Sequence, residues 1–247
     1  MIEPFNIFIG YDRNEHEAYM VAQSSLLRRS NSPVLIHPLS IDHLHYLVSP
    51  PIKRADKLWC PESDAPCSTE FARSRFCVPF LQRDGWALFM DADMVVRTDI
   101  NEILQFADES KAVMVVKHQY EPQETTKMDG QIQTVYPRKN WSSVMLWNCS
   151  HRAHYRLTKE RLNNWAGRRL HAFEWLEDEE IGELPDEWNH LVGVTDAKLE
   201  SAKILHYTLG GMWTDRWKEQ PSDRYWLDEY KYLRGEQANV HRPKTYS

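Results

Sequence analysis

Apolar positions along the chain come in short runs of two periods, and the runs alternate. Residues 5–9 set apolar side chains around Asn6 and stop at Gly10, which predicts a strand. Asn14, with Glu17 three residues on, fits a helix capping box, and Ala18, Ala22, Ser25 and Leu26 then share one helical face up to about Arg29. Residues 34–39 return to a strand pattern, so the chain opens as a parallel strand–helix–strand unit. Pro50, Pro51 and Pro61 interrupt residues 40–67, which read as loop with short helical turns. Ser68 or Thr69 can cap a helix carrying Glu70, Phe71, Arg73, Arg75 and Phe76, which Pro79 bends or ends. Buried-type strands follow at 86–90, 94–96, 112–116 and 143–147, with a short helix around Ile103, Leu104 and Phe106.

Between those strands, residues 117–142 are polar and irregular, a length that points to function or mobility. A helical stretch covers roughly 156–176, an acidic run fills 177–180, and a late strand at 203–207 ends at Gly210 and Gly211. The polar and aromatic tail beyond Pro221 is expected to wrap the surface. The pattern as a whole predicts an α/β fold, with a mostly parallel central sheet flanked by helices. One domain is expected over residues 1–215, with 216–247 as an extension packed on its surface.

Composition narrows the partners. A formal net charge of -6, with basic residues scattered, argues against nucleic acid, and the pair Arg138 and Lys139 is too small for a phosphate-backbone stripe. No apolar run approaches the ~20 residues of a membrane span, and the N-terminus lacks the pattern of a signal peptide. Cys60, Cys67, Cys77 and Cys149 form no CxxC pair and read as reduced thiols, so the expected location is cytoplasmic. Ten Trp and eleven Tyr serve mainly the core, with some available as platforms for sugar rings.

The chemistry concentrates at Asp91-Ala92-Asp93. Two carboxylates inside a run of Trp, Leu, Phe, Met and Val are costly to bury unpaired, so a cation or a substrate is expected to compensate them. Carboxylate oxygens suit Mg²⁺ or Mn²⁺, which also bind phosphate oxygens. His206, at the end of the late strand, can add a nitrogen ligand. Gly210 and Gly211 permit a close backbone approach to phosphate, and Trp213 can close over the ligand. On a helix, Arg73 and Arg75 lie about 200° apart, so one of them enters a cleft, and the pattern around Arg75 favours it.

These pieces, in this order, resemble GT-A fold glycosyltransferases, above all family 8. Residues 7–12 are similar to the first strand and nucleotide-base loop, residues 71–76 to the helix that brings an Arg to the nucleotide sugar, and residues 89–93 to the metal-binding DxD strand. Residues 140–148 resemble the segment lining donor and acceptor, residues 184–189 a family element after the sugar-binding acids, and residues 206–213 the metal His and glycine loop. Met212 stands where that loop usually carries a Lys, and Asp178 with Glu179 replace an Asp-Gln pair.

The resemblance implies transfer of a sugar from a nucleotide-diphosphate donor, most often a UDP-sugar, with retention of configuration. It implies Asp91, Asp93 and His206 as metal ligands. Asp12, Arg75, Arg73, Ala92, Gly210, Gly211 and Trp213 would face the donor nucleotide. Lys127, Asp129, Lys139, Asn140, Trp141, Ser142, Ser143, Trp188 and Asn189 would face the sugar and the acceptor, with Asp178 and Glu179 as catalytic acids. The acceptor would be a saccharide, a glycolipid or a protein. Two rival readings stand beside it. One is a nucleotidyltransferase, although the first strand is followed by no glycine-rich loop; the other is a carbohydrate-binding protein with a degenerate site.

Overall fold

A computed structural model describes residues 3–118, 138, 140–195, 199–214, 217 and 219–236. The chain opens with β1 (Phe5–Gly10), α1 (His16–Arg29) and β2 (Val34–Leu39), and β1 pairs with β2 in parallel. The cap at the start of α1 differs from the expected Asn14 box. Asp12 caps a preceding 3-10 turn, Arg13–Glu15, by accepting the Asn14 N–H at 2.9 Å.

After α2 (Ile41–Leu44), the expected loop is instead a small antiparallel sheet of β3 (Ile52–Arg54), β4 (Lys57–Cys60) and β5 (Ala65–Cys67). Its prolines fit because Pro50, Pro51 and Pro61 flank the strands and Pro66 sits on an edge strand, where no ladder donor is needed. No long helix forms before Pro79. A 3-10 turn, Ser74–Cys77, leads into α3 (Val78–Leu81).

Next come β6 (Trp86–Met90), β7 (Met94–Val96), β8 (Val113–Val115) and β9 (Val144–Asn148). The helix expected over 156–176 is two short ones, α4 (Lys159–Asn164) and α5 (Gly167–His171), separated where Trp165 turns extended. The chain continues through β10 (Ile181–Glu183), β11 (His190–Leu191), β12 (Ile204–His206) and α6 (Asp223–Leu233). The tail expected to wrap the surface is helical over α6, which buries Trp226 and Glu229.

The main sheet has six strands in the order β10-β8-β9-β6-β1-β2. Five run the same way and β9 runs against them. The register explains the near-continuous apolar sequence of β6 and β9. Ile7, Leu88 and Leu146 line up on one face, and Phe8, Phe89 and Met145 on the other. Each row enters its own hydrophobic cluster, so both faces of these strands are covered. Each such side chain contributes roughly 1.5–3 kcal/mol of burial.

A second sheet, β11-β12-β7, carries the chain past the end of β6. Its β7 packs on α1, where the buried Ser25 hydroxyl accepts the Val96 N–H at 2.9 Å and donates to the Ala22 carbonyl at 2.8 Å. One turn further along α1, α6 is held by Arg28 and Arg29 on the buried carboxylate of Glu229, at 2.8 and 2.6 Å.

Candidate active site

Three chain ends meet where the two sheets join. Asp91 leaves the carboxyl end of β6, Asp93 directly precedes β7, and His206 closes β12 opposite Met94. The backbone fixes both acids. The Asp91 N–H donates to the Ser143 carbonyl at 3.0 Å, and the Tyr207 N–H donates to the Asp93 carbonyl at 2.9 Å. His206 Nε2 stands 3.4 Å from Asp93 Oδ1 and 4.0 Å from Asp91 Oδ2. One ligand atom from each residue lies within 4.8 Å of the others.

The orientation of His206 follows from its hydrogen bonds. Ser143 Oγ donates to the Asn140 carbonyl at 2.9 Å, so it accepts from Asn189 Nδ2 at 2.8 Å. Asn189 therefore turns Oδ1, an acceptor, towards His206 Nδ1 at 3.0 Å. Nδ1 must carry a proton, which turns Nε2 towards the two carboxylates. A proton on Nε2 or a cation between the three groups balances those charges, and an imidazole with its second nitrogen tied back in this way is the form that ligates a metal. Burial, together with Asp93, pushes the Asp91 carboxyl up to about 6 against the opposing pull of Arg75. Asp91 Oδ1 forms an ion pair with Arg75 but accepts no aligned hydrogen bond. Two carboxylate oxygens and one imidazole nitrogen suit Mn²⁺ or Mg²⁺ with positions left for phosphate, so the donor set fits the expected cation.

Arg75 supplies the countercharge. Its Nη1 lies 2.9 Å from Asp91 Oδ1 and donates to the Ser142 carbonyl at 3.0 Å. The guanidinium is buried between the rings of Phe71 and Phe89, 5.2 Å from each centre. Arg73 diverges, with Nη1 donating to the Leu162 carbonyl at 2.7 Å and Nη2 bonding Ser63 Oγ.

No protein-family profile matches the chain. It is 44% identical over 232 residues to Protein CDI of Arabidopsis thaliana, an alignment covering 92% of this chain and 86% of that protein. The chain belongs to the Protein CDI family.

The fold is similar to those of solved glycosyltransferases. The bifunctional glycosyltransferase WbbM superposes with a TM-score of 0.60 at 15% identity, covering 93% of this chain and 50% of WbbM. GlyE of Streptococcus pneumoniae TIGR4 gives 0.60 at 14%, covering 95% of this chain and 63% of GlyE. An active-site mutant of LgtC gives 0.52 at 12%, covering 96% and 97%. The chain thus spans half the length of WbbM and under two thirds of GlyE. At such identities the likeness establishes the fold.

Other predicted residues scatter around this CDI-family site. Asp12 is buried at the end of β1, with Oδ1 on Asn14 and Oδ2 accepting the Glu70 N–H at 2.9 Å, so it ties two loops together. Ala92, Trp188 and Asn189 are fully enclosed, and Asn189 serves His206 from behind. Ser142 and Ser143 join the cluster through Arg75, Asp91 and Asn189, while Trp141 donates Nε1–H to the His118 carbonyl at 3.2 Å. Gly210 adopts a φ of 106°, which favours glycine. Gly211 lies under the Trp213 ring, which a Cβ there would meet at 2.1 Å. Trp213 packs against Tyr207 and Trp226. Lys127, Asp129 and Lys139 lie outside the described residues.

Asp178 and Glu179 are not brought to the cluster. Their run enters β10 at its amino end, where the Glu180 carbonyl accepts the Ala112 N–H, whereas Asp91 leaves β6 at the opposite end of the sheet. Both side chains are exposed, and Asp178 pairs with Arg138.

Sequence reasoning missed two histidines. His118 follows β8 and is close enough to His206 for the two to interact. Burial first, then His206 and His190, lowers it to about 4. His171 Nδ1 lies 2.7 Å from Ser142 Oγ. A His just beyond a strand parallel to the Asp strand was a legible signal for the first. His171 had none, because only tertiary packing brings α5 to Ser142.

Proposed function

We propose that the chain is a metal-dependent glycosyltransferase that takes a sugar from a nucleotide-diphosphate donor. The carrying observation is the convergence of Asp91, Asp93 and His206, with the imidazole Nε2 turned to both carboxylates by Asn189. Asp91, Asp93 and His206 hold Mn²⁺ or Mg²⁺, and a cation there would neutralise charge developing on the departing diphosphate. Arg75 keeps Asp91 in place and offers a fixed positive charge beside the leaving group. Ser142, Ser143 and the Trp141 turn form the sugar side, and positioning supplies much of the rate. Front-face transfer with retention belongs to this proposal, and among the described residues it is supported by the acids of the 177–180 run lying at the amino end of β10.

A UDP-sugar donor and a saccharide, glycolipid or protein acceptor belong to this proposal. So does a cytoplasmic location, which suits four unpaired cysteines. Among the described residues, no helix is long and apolar enough to cross a membrane.

A panel of nucleotide sugars incubated with Mn²⁺ tests the reading. Release of nucleoside diphosphate, lost in chelator, is expected, with product anomers read by NMR. Release of pyrophosphate would instead indicate nucleotidyl transfer, and metal-independent sugar binding without turnover would indicate a lectin-like protein.

A further inference from the structure

We propose that His171 is a positioning residue for the cation cluster and acts on it through Ser142; this rests on the metal reading above. The 3-10 turn Trp141–Ser143 is the hub of the site. It follows Asn140, whose φ of 64° makes the sharp entry. The Ser142 carbonyl accepts from Arg75, the Ser143 carbonyl accepts the Asp91 N–H, and Ser143 Oγ accepts from the Asn189 amide that orients His206. One turn therefore sets Asp91 from two directions and His206 from a third.

Something must hold that turn, and α5 is placed to do so. His171, its last residue, bonds the buried Ser142 hydroxyl at 2.7 Å. The same imidazole packs edge-on against Phe76, with ring centres 5.3 Å apart, and Phe76 directly follows Arg75. His171 thus touches both neighbours of the Arg75–Asp91 ion pair: the serine whose carbonyl receives Arg75, and the ring next to Arg75 in the chain. Removing the imidazole leaves the Ser142 hydroxyl without this partner and opens a gap beside Phe76. Arg75 then loses its fixed carbonyl, and Asp91 its fixed countercharge. Partners behind metal ligands change affinity by about 10–100-fold, and a group one step further out should change it less.

The test is Mn²⁺ binding by the full chain, read from the electron paramagnetic resonance of free Mn²⁺, with thermal unfolding in chelator measured alongside. His171→Ala and Ser142→Ala are each expected to weaken Mn²⁺ binding by about 5–10-fold. The double variant should be no weaker than the worse single one, because both remove one interaction. His171→Asn, whose amide can still reach Ser142 Oγ, should stay within about twofold of the parent. Tyr155→Ala, at an 88% exposed position, should match the parent. Unchanged binding in His171→Ala overturns the proposal, as do single effects that multiply in the double variant. If His171→Ala does not fold, the comparison of Ser142→Ala with His171→Asn decides. Should the parent itself bind no Mn²⁺, the cation reading falls first and takes this proposal with it.

Discussion

Two acidic stretches of this chain, residues 91–93 and 177–180, are alike in composition and opposite in surroundings. In the first, Asp91 and Asp93 sit at a junction of two sheets, facing each other and the His206 imidazole, with Arg75 as countercharge. In the second, Glu177 and Glu180 cap their own 3-10 turn, while Arg138 and Arg156 pair with the run from outside. Charges in the first place are kept against a burial cost, visible in the raised Asp91 carboxyl. In the second, Glu177, Asp178 and Glu179 are solvated and their pairing contributes little, while the half-buried Glu180 is held by Arg156 and by the Glu177 N–H. Cost, more than the count of acids, marks the candidate stretch.

The largest effect that would break this contrast is at Asp93. Asp93→Ala is expected to abolish the rise in melting temperature on adding Mn²⁺, since ligand-linked stabilisation vanishes when the ligand no longer binds. A preserved shift would put the cation elsewhere. Next in size is Asn189→Ala, which frees the His206 tautomer while leaving all three ligands present. Mn²⁺ affinity should fall about 10–100-fold in a calorimetric titration. Unaltered affinity there would mean the amide does not set the imidazole.

Much of this contrast was legible before any fold was known. The Asp91-Ala92-Asp93 break in an apolar run and the later His206 are local patterns, and β-strand geometry brings them together through the pairing of His206 with Met94. The parallel opening unit was equally legible, because its periodicity is a property of short segments. The small sheet of β3, β4 and β5 was not, since three- and four-residue strands among prolines leave too little periodicity to read. Nor could the acids at 178 and 179 be placed from sequence. Their position depends on β10 pairing in parallel with β8, a contact nearly 70 residues away in the chain.

A smaller effect sharpens the idea of cost. In chelator, Asp93→Asn should raise the melting temperature by about 2–4 °C, the equivalent of about 1 kcal/mol in a chain of this size. The change removes a like charge beside Asp91 and so lowers the cost of burying that carboxylate. Differential scanning calorimetry of the two metal-free proteins measures it. A lower melting temperature would show that the Asp93 carboxylate stabilises the fold by itself.

The smallest effect is expected at Asp178. Its side chain is 83% exposed, so Asp178→Asn should change stability by less than about 1 kcal/mol and Mn²⁺ affinity by less than about twofold. Sugar transfer by the variant, once a donor is in hand, is the sharper measurement. The fold places this carboxylate at the amino end of β10, away from the β6 end that carries Asp91, so transfer should persist. A loss of transfer with metal binding intact would mean that the 177–180 run reaches the sugar by a rearrangement of the Arg138 pair. The two stretches would then differ in when they meet the substrate, and the burial contrast would describe only the ligand-free protein.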